Sequence, residues 1–209
     1  MRIVVIDYGM GNLRSVANAF EAVGQPVEIV AAPDGLDGAD GIVLPGVGAF
    51  GDAMRNLHER GFVDPLDRHV RGGRVPFLGL CLGMQLVATE SAEHGEHRGL
   101  GWVPGRVVRI DPNGTPVRVP HIGWDDVRFS SGTRLFADLG ESQAFYFVHS
   151  FVLEPESRNV VSGVCDYAGP FAATIETGNI FGTQFHPEKS QKAGLAALRN
   201  FVGICSSTA

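Results

Sequence analysis

The stretch that most constrains this chain is Val75-Pro76-Phe77-Leu78-Gly79-Leu80-Cys81-Leu82-Gly83-Met84-Gln85-Leu86. An apolar run that reads as a buried strand ends at Cys81. A helix-forming run starts directly after it, with a glycine two residues to either side. A side chain on so sharp a strand-to-helix turn sits in a strained backbone conformation, and neighbours without Cβ let the flanking segments close up. The G-x-C-x-G pattern therefore pushes its cysteine into the open. It also places the sulfur at a helix N-terminus, where unpaired N–H groups favour a thiolate. The same residues would also suit a small apolar side chain in a core turn, so the pattern points to chemistry only if a base is supplied from elsewhere.

A chain of 209 residues with 44% hydrophobic content can bury a full core, and its length suits one domain. A formal charge of -6 and the lack of any basic block argue against nucleic acid or an anionic membrane as partner, because phosphate backbones are bound by clustered Lys and Arg. The opening Met1-Arg2-Ile3-Val4-Val5-Ile6-Asp7 turns polar too soon for a secretory leader. No apolar run approaches the roughly 18 residues of a membrane span, so the expected location is the cytoplasm. Cys81, Cys165 and Cys205 are an odd number at unrelated spacings, which gives neither a disulfide framework nor a zinc pattern.

Along the chain, Arg2 to Ile6 reads as a strand, followed by the loop Asp7-Tyr8-Gly9-Met10-Gly11-Asn12 and a helix in which Leu13, Val16, Ala17, Phe20 and Val23 recur at helical spacing, with Gly24 as its stop. Arg14 stands where the third glycine of a dinucleotide fingerprint belongs, so that reading is rejected and no cofactor is expected. Val27 to Ala31 and Gly41 to Leu44 read as further strands. The second of these runs into Pro45-Gly46-Val47-Gly48-Ala49-Phe50-Gly51, whose backbone N–H groups can approach a ligand closely. Helices are predicted over Ala53 to His58, Val63 to Val70 and Leu82 to Thr89.

Ser91 to His97 is polar and reads as a solvated loop. Glu93, His94, Glu96 and His97 lack a framework that would fix metal ligands, so no metal site is expected. Beyond it the pattern turns to β, with a hairpin expected where Arg106 to Ile110 and Pro116 to Val119 flank Pro112-Asn113-Gly114. Trp124 to Phe129, Ser142 to Leu153, Val160 to Cys165, Phe171 to Glu176 and Asn179 to Phe185 continue as strands, and a helix covers Lys189 to Val202. This order predicts a three-layer α/β fold, with a mainly parallel central sheet, flanking helices and an added antiparallel β portion, in a single domain over residues 1–209.

The missing base is found in Gln184-Phe185-His186-Pro187-Glu188-Lys189-Ser190. On an extended chain residues two apart project to one side, so His186 and Glu188 can face one site, and Pro187 discourages a helical alternative. In a cysteine hydrolase the imidazole takes the thiol proton and returns one to the leaving amine, while a carboxylate fixes its tautomer. Cys81, His186 and Glu188 are the expected set. His121 and His149 compete for the role of base, but only His186 has a carboxylate two residues on in an extended context.

Gly79-Leu80-Cys81-Leu82-Gly83-Met84-Gln85 together with His186-Pro187-Glu188 resembles the class I, triad-type glutamine amidotransferases. Within them, Asp7 to Leu13, Leu44 to Phe50, Pro120-His121-Ile122-Gly123-Trp124 and Tyr146-Phe147-Val148-His149-Ser150 are most similar to glutaminase subunits of imidazole glycerol phosphate synthases. One departure is Asp125, where that family would have Asn. The resemblance implies hydrolysis of L-glutamine through a thioester on Cys81, with oxyanion donors from Leu82 N–H and a backbone N–H of Gly46-Val47-Gly48. It further implies glutamine contacts at Gln85, Ser150 and Phe151, and a partner cyclase subunit with a (β/α)8 barrel that receives ammonia through a channel. The competing readings are service to another synthase, such as anthranilate or aminodeoxychorismate synthase, and a non-catalytic scaffold subunit.

Overall fold

The computed structural model describes residues 1–112 and 114–208. The chain opens with β1 (Ile3–Ile6), α1 (Leu13–Ala22), β2 (Glu28–Val30) and β3 (Gly41–Leu44). Every residue of β1 and β3 is buried, as strands covered on both faces must be, which is why both read as unbroken apolar runs rather than alternating ones. Asn12 Oδ1 caps α1 by accepting from Ser15 N at 3.2 Å. The helix turns Val16, Ala19 and Phe20 onto the sheet.

Next come α2 (Phe50–Glu59), α3 (Val63–Asp67), β4 (Phe77–Leu80) and α4 (Leu82–Gln85), then β5 (Ala88–Ser91), β6 (His97–Arg98) and β7 (Val103–Arg109). β8 (His121–Phe129), β9 (Ser142–His149), β10 (Phe151–Pro155), β11 (Val161–Asp166), β12 (Pro170–Thr177), β13 (Ile180–Thr183) and α5 (Gln191–Thr208) complete the chain.

Nine strands form one sheet in the order β2-β1-β3-β4-β13-β12-β11-β8-β9. The first five run parallel, and β12, β11, β8 and β9 continue the same sheet antiparallel. The predicted antiparallel portion is thus an extension of the central sheet. A second sheet, β10-β7-β5-β6, is separate from it. Alternation along β1 sends Val4 and Ile6 into one core, and Ile3 and Val5 into the other, which packs on α1 and α5. Ala197, Leu198, Phe201 and Cys205 are the buried stripe of α5.

Five expectations are corrected. The helix after Cys81 ends at Gln85, not Thr89, because the following residues are taken into pairing: Val87 O accepts from both Trp102 N and Val103 N, and Ser91 pairs with His97 and Val107. The hairpin across 106–119 does not form. Arg106–Arg109 pairs with β10 and β5 instead, and Pro116 and Pro120 have no N–H to give to a ladder. Asn113, at the tip of that expected turn, lies outside the described residues. The run Ser142 to Leu153 breaks at Ser150, where β9 in the large sheet hands over to β10 in the small one. The expected solvated loop over Ser91 to His97 is exposed only at His94, Gly95 and Glu96 and is anchored at its start, since Ser91 is buried in β5 and Glu93 Oε2 accepts from Phe50 N at 2.7 Å. The helix predicted to end at Val70 runs on from α3 as wide turns to Gly72.

Candidate active site

Cys81 stands between β4 and α4 with φ 51° and ψ -105°, the strained geometry expected of the turn. Its N–H reaches Thr183 O at 2.7 Å, and its own carbonyl accepts from Met84 N and Gln85 N. Three glycines make this turn possible by close approach. A Cβ on Gly79 would meet Gly83 O at 2.5 Å, one on Gly83 would collide with Leu44 O, and one on Gly182 would meet Met84 Cγ at 2.7 Å. Leu82 N, in the first turn of α4, has no partner within the helix.

His186 follows β13, held by Ser190, whose Oγ donates to His186 O at 2.6 Å and accepts from Tyr146 N at 3.0 Å. His186 N also bonds Tyr146 O at 3.0 Å. Pro187 to Lys189 is not extended, as the sequence suggested, but turns as a short 3-10 segment with Pro187 at its start. That tight turn carries Glu188 back onto the ring, with Oε1 2.7 Å from Nδ1 and both side chains almost wholly buried. A carboxylate accepts, so Nδ1 carries the proton and Nε2 is the nitrogen available for proton transfer. Burial opposes a charge on this ring, but the nearby Cys81 sulfur and the hydrogen-bonded Glu188 carboxylate outweigh it and push His186 up to about 10. A protonated His186 at neutral pH is the counter-ion that a thiolate requires.

A cleft of about 910 Å³ opens above the sulfur, lined by Cys81, Leu82, Gln85, Val47, Gly48, Ser150 and Phe151 among others. Gly46 is buried beneath it, where a Cβ would strike Tyr8 and Leu82, so the glycine loop packs directly on the elbow. His186 and Glu188 lie behind the cleft wall rather than on it. The rival histidines are engaged with each other and, from His149 on the cleft wall, with the backbone: His121 Nδ1 lies 3.0 Å from His149 Nε2, and His149 Nδ1 donates to Phe151 O at 2.9 Å.

The class-I glutamine amidotransferase family model matches residues 4–204. The chain belongs to that family. This amidotransferase is 52% identical over 203 residues to the imidazole glycerol phosphate synthase subunit HisH of Aquifex aeolicus, a match that covers 96% of each chain. It is 49% identical to the same subunit of Syntrophotalea carbinolica, over 95% of this chain and 98% of that one. In fold it resembles a putative GMP synthase protein from Thermoplasma acidophilum, with TM-score 0.74 at 22% identity over 99% of this chain and 94% of that one. A crystal structure of a glutamine amidotransferase gives TM-score 0.76 at 20% identity, over 97% and 98% of the two chains.

Two features of the amidotransferase went unread in the sequence, one against the sulfur and one on the cleft wall. Gln184 is fully buried and its Nε2 donates to Cys81 Sγ at 3.7 Å, while its Oε1 accepts from Gln85 Nε2 at 3.0 Å. Gln85 Nε2 donates its second proton to Phe151 O at 2.9 Å, so Oε1 is the Gln85 atom left for a ligand. Glu93, read as part of a solvated loop, instead lines the cleft, and Arg109 brings the opposite charge. The only signal for Gln184 in the sequence was its place in the His186 motif.

Proposed function

We propose that this chain is the glutaminase subunit of an imidazole glycerol phosphate synthase, hydrolysing L-glutamine and delivering ammonia to a cyclase subunit in histidine biosynthesis. What supports the chemistry is Cys81 at φ 51° and a buried His186 whose Nδ1 is 2.7 Å from Glu188, whose Nε2 has no partner among the described residues, and whose charge Cys81 is near enough to favour. The Cys81 thiolate adds to the side-chain carboxamide carbon of glutamine, and the carbonyl electrons move to an oxyanion. Leu82 N–H and a backbone N–H of Gly46-Val47-Gly48 receive that charge. His186 passes its Nε2 proton to the departing nitrogen, the C–N bond breaks, and ammonia and a glutamyl thioester remain. His186, now neutral, takes a proton from water as it attacks the thioester, and the sulfur leaves with glutamate released.

Gln85 Oε1 and the Ser150-Phe151 backbone seat the amino-acid end of the substrate, and Glu93 and Arg109 complement its two opposite charges. Free ammonia becomes ammonium at neutral pH and ceases to be a nucleophile, so the product is passed on directly. The acceptor is a cyclase with a (β/α)8 barrel and an ammonia channel, bound over the face where Ile122 and Trp124 stand 60% and 45% exposed on β8. Lys189, over the Tyr146 ring at 5.9 Å, borders this face. We read residues 1–209 as one domain and its setting as cytoplasmic. Three unpaired cysteines support a reducing compartment, and no helix among the described residues is long and apolar enough to cross a membrane.

Glutamate release measured with and without the cyclase and its nucleotide substrate tests this reading. Turnover is expected to rise in the loaded complex and to vanish in Cys81→Ala. Glutamine-dependent activity that survives Cys81→Ala in the complex defeats it.

A further inference from the structure

A second chain of polar groups runs from the surface to the cleft. Asp125, with its side chain 41% exposed on β8, places Oδ2 2.7 Å from His121 Nε2. His121 Nδ1 lies 3.0 Å from His149 Nε2, and His149 Nδ1 lies 2.9 Å from Phe151 O. Both rings are buried. His121 is stacked against Phe147 and Tyr167, at centroid distances of 4.7 and 3.8 Å, so its two nitrogens point along the chain.

The proton count of this chain is fixed by its geometry. Three hydrogen bonds require three protons, and the Phe151 carbonyl can only accept. Two neutral imidazoles supply two. The third must be additional, because without it a lone pair on His121 Nε2 would face a carboxylate oxygen at 2.7 Å. His149 is a poor place for it: burial, and the neighbouring His121 and His186, keep that ring neutral, with its pKa pushed down to about 3. Burial lowers His121 as well, and Asp125 offsets that only in part; it is the 2.7 Å approach of Asp125 Oδ2 to His121 Nε2 that leaves this bond as the place for the added proton.

We infer that Asp125, by sharing this proton with His121, sets the tautomer of His149 and thereby acts as a positioning residue for the glutamine cleft. The inference rests on the reading that Ser150-Phe151 seats the substrate. With His121 Nδ1–H donating, His149 Nε2 accepts and its Nδ1–H is committed to Phe151 O. Gln85 Nε2 donates to the same oxygen at 2.9 Å. The carbonyl is thus gripped from two sides, one residue beyond Ser150, where the chain crosses between sheets. With the opposite tautomer a lone pair on Nδ1 would face that oxygen and one grip would be lost.

Nitrogen-15 histidine spectra of the full chain test the proton count. His121, identified by its loss in His121→Gln, is expected to carry protons on both ring nitrogens, and His149 on Nδ1 alone. In Asp125→Asn the amide N–H supplies the third proton itself, so His121 becomes neutral while His149 keeps its Nδ1 proton. A bare His121 Nε2 in the wild type overturns the inference, and so does a His149 protonated only on Nε2. In the complex with cyclase, Asp125→Leu is expected to raise KM for glutamine about tenfold with kcat changed by less than about twofold, and Asp125→Asn to recover most of that loss. An unchanged KM in Asp125→Leu also overturns it. Cys81→Ala keeps the His121 and His149 signals and loses turnover, so failure of the glutaminase reading shows separately, as a Cys81→Ala enzyme that still turns over.

Discussion

Gly83 lies so closely against Leu44 that any Cβ at position 83 would run into the Leu44 carbonyl oxygen. The contact ties the turn that presents Cys81 to the end of β3, from which the Gly46-Val47-Gly48 loop departs. Cys81 and the Gly46-Val47-Gly48 loop are set relative to one another by the absence of a single methyl group. Gly83→Ala is therefore expected to destabilise the chain by about 1–3 kcal/mol, the cost of forcing a methyl into a packed site, and to lower glutaminase turnover in the complex. Gly203, on an open face of α5 with nothing near its Cβ position, is the contrast. Gly203→Ala should leave turnover alone and raise stability by about 0.5–1 kcal/mol. Thermal unfolding and glutamate release on both variants decide it.

The parts of the fold that were readable in the sequence are those determined by neighbours in the chain. β1, β3 and β4 announce themselves as apolar runs, and Cys81 as a strained turn, because the glycines that permit the turn stand two residues away. Elements set by distant partners were not readable. Leu86 to Thr89 has helical composition, yet Val87 is held by Trp102 and Val103. Arg106–Arg109 ignores the nearby turn signal and pairs with Phe151–Glu154. Glu188 meets His186 through a tight turn at Pro187, so the expected pair is present but by a different backbone path. Gln184 reaches a sulfur 103 residues away, a contact no local pattern encodes.

Glu188→Gln keeps the shape of the pair and removes its charge. His186 stands near 10 in the folded chain against an ordinary value of 6.5, raised by its partners against burial. Its proton therefore contributes fully to stability below about pH 6.5, and that contribution is lost as pH climbs to about 10. The urea midpoint of the wild type should fall across this window through His186, and the fall should shrink in Glu188→Gln. Turnover should drop by about two to four powers of ten, because the ring loses the group that orients it and steadies its charge. A variant with the wild-type slope and wild-type turnover would remove Glu188 from the triad.

Gly48 has φ +107°, and a Cβ there would also press on Met10 Cε at 2.7 Å. Gly48→Ala should turn the loop's N–H groups away from the elbow. A donor that serves only the tetrahedral intermediate affects kcat and spares substrate binding, and losing one costs about two to three powers of ten. Steady-state kinetics in the complex should show kcat reduced on this scale with KM for glutamine near the wild-type value. A change confined to KM would place the loop in substrate binding instead.

Gln184→Leu isolates the amide that touches the nucleophile. The side chain is fully buried, so leucine preserves apolar packing while Cys81 Sγ loses its donor and Gln85 Nε2 loses one of its two acceptors. A hydrogen bond to a charged group contributes about 1.5–3 kcal/mol. Alkylation of Cys81 by iodoacetamide at neutral pH should therefore slow by about tenfold or more. Loosening Gln85 weakens its hold on Phe151 O, so KM for glutamine should rise as well. The double variant with Gln85→Leu separates the two effects: alkylation should be no slower than in Gln184→Leu alone, whereas KM should rise further. Alkylation at the wild-type rate in Gln184→Leu would mean that the buried amide holds Gln85 and does nothing for the sulfur.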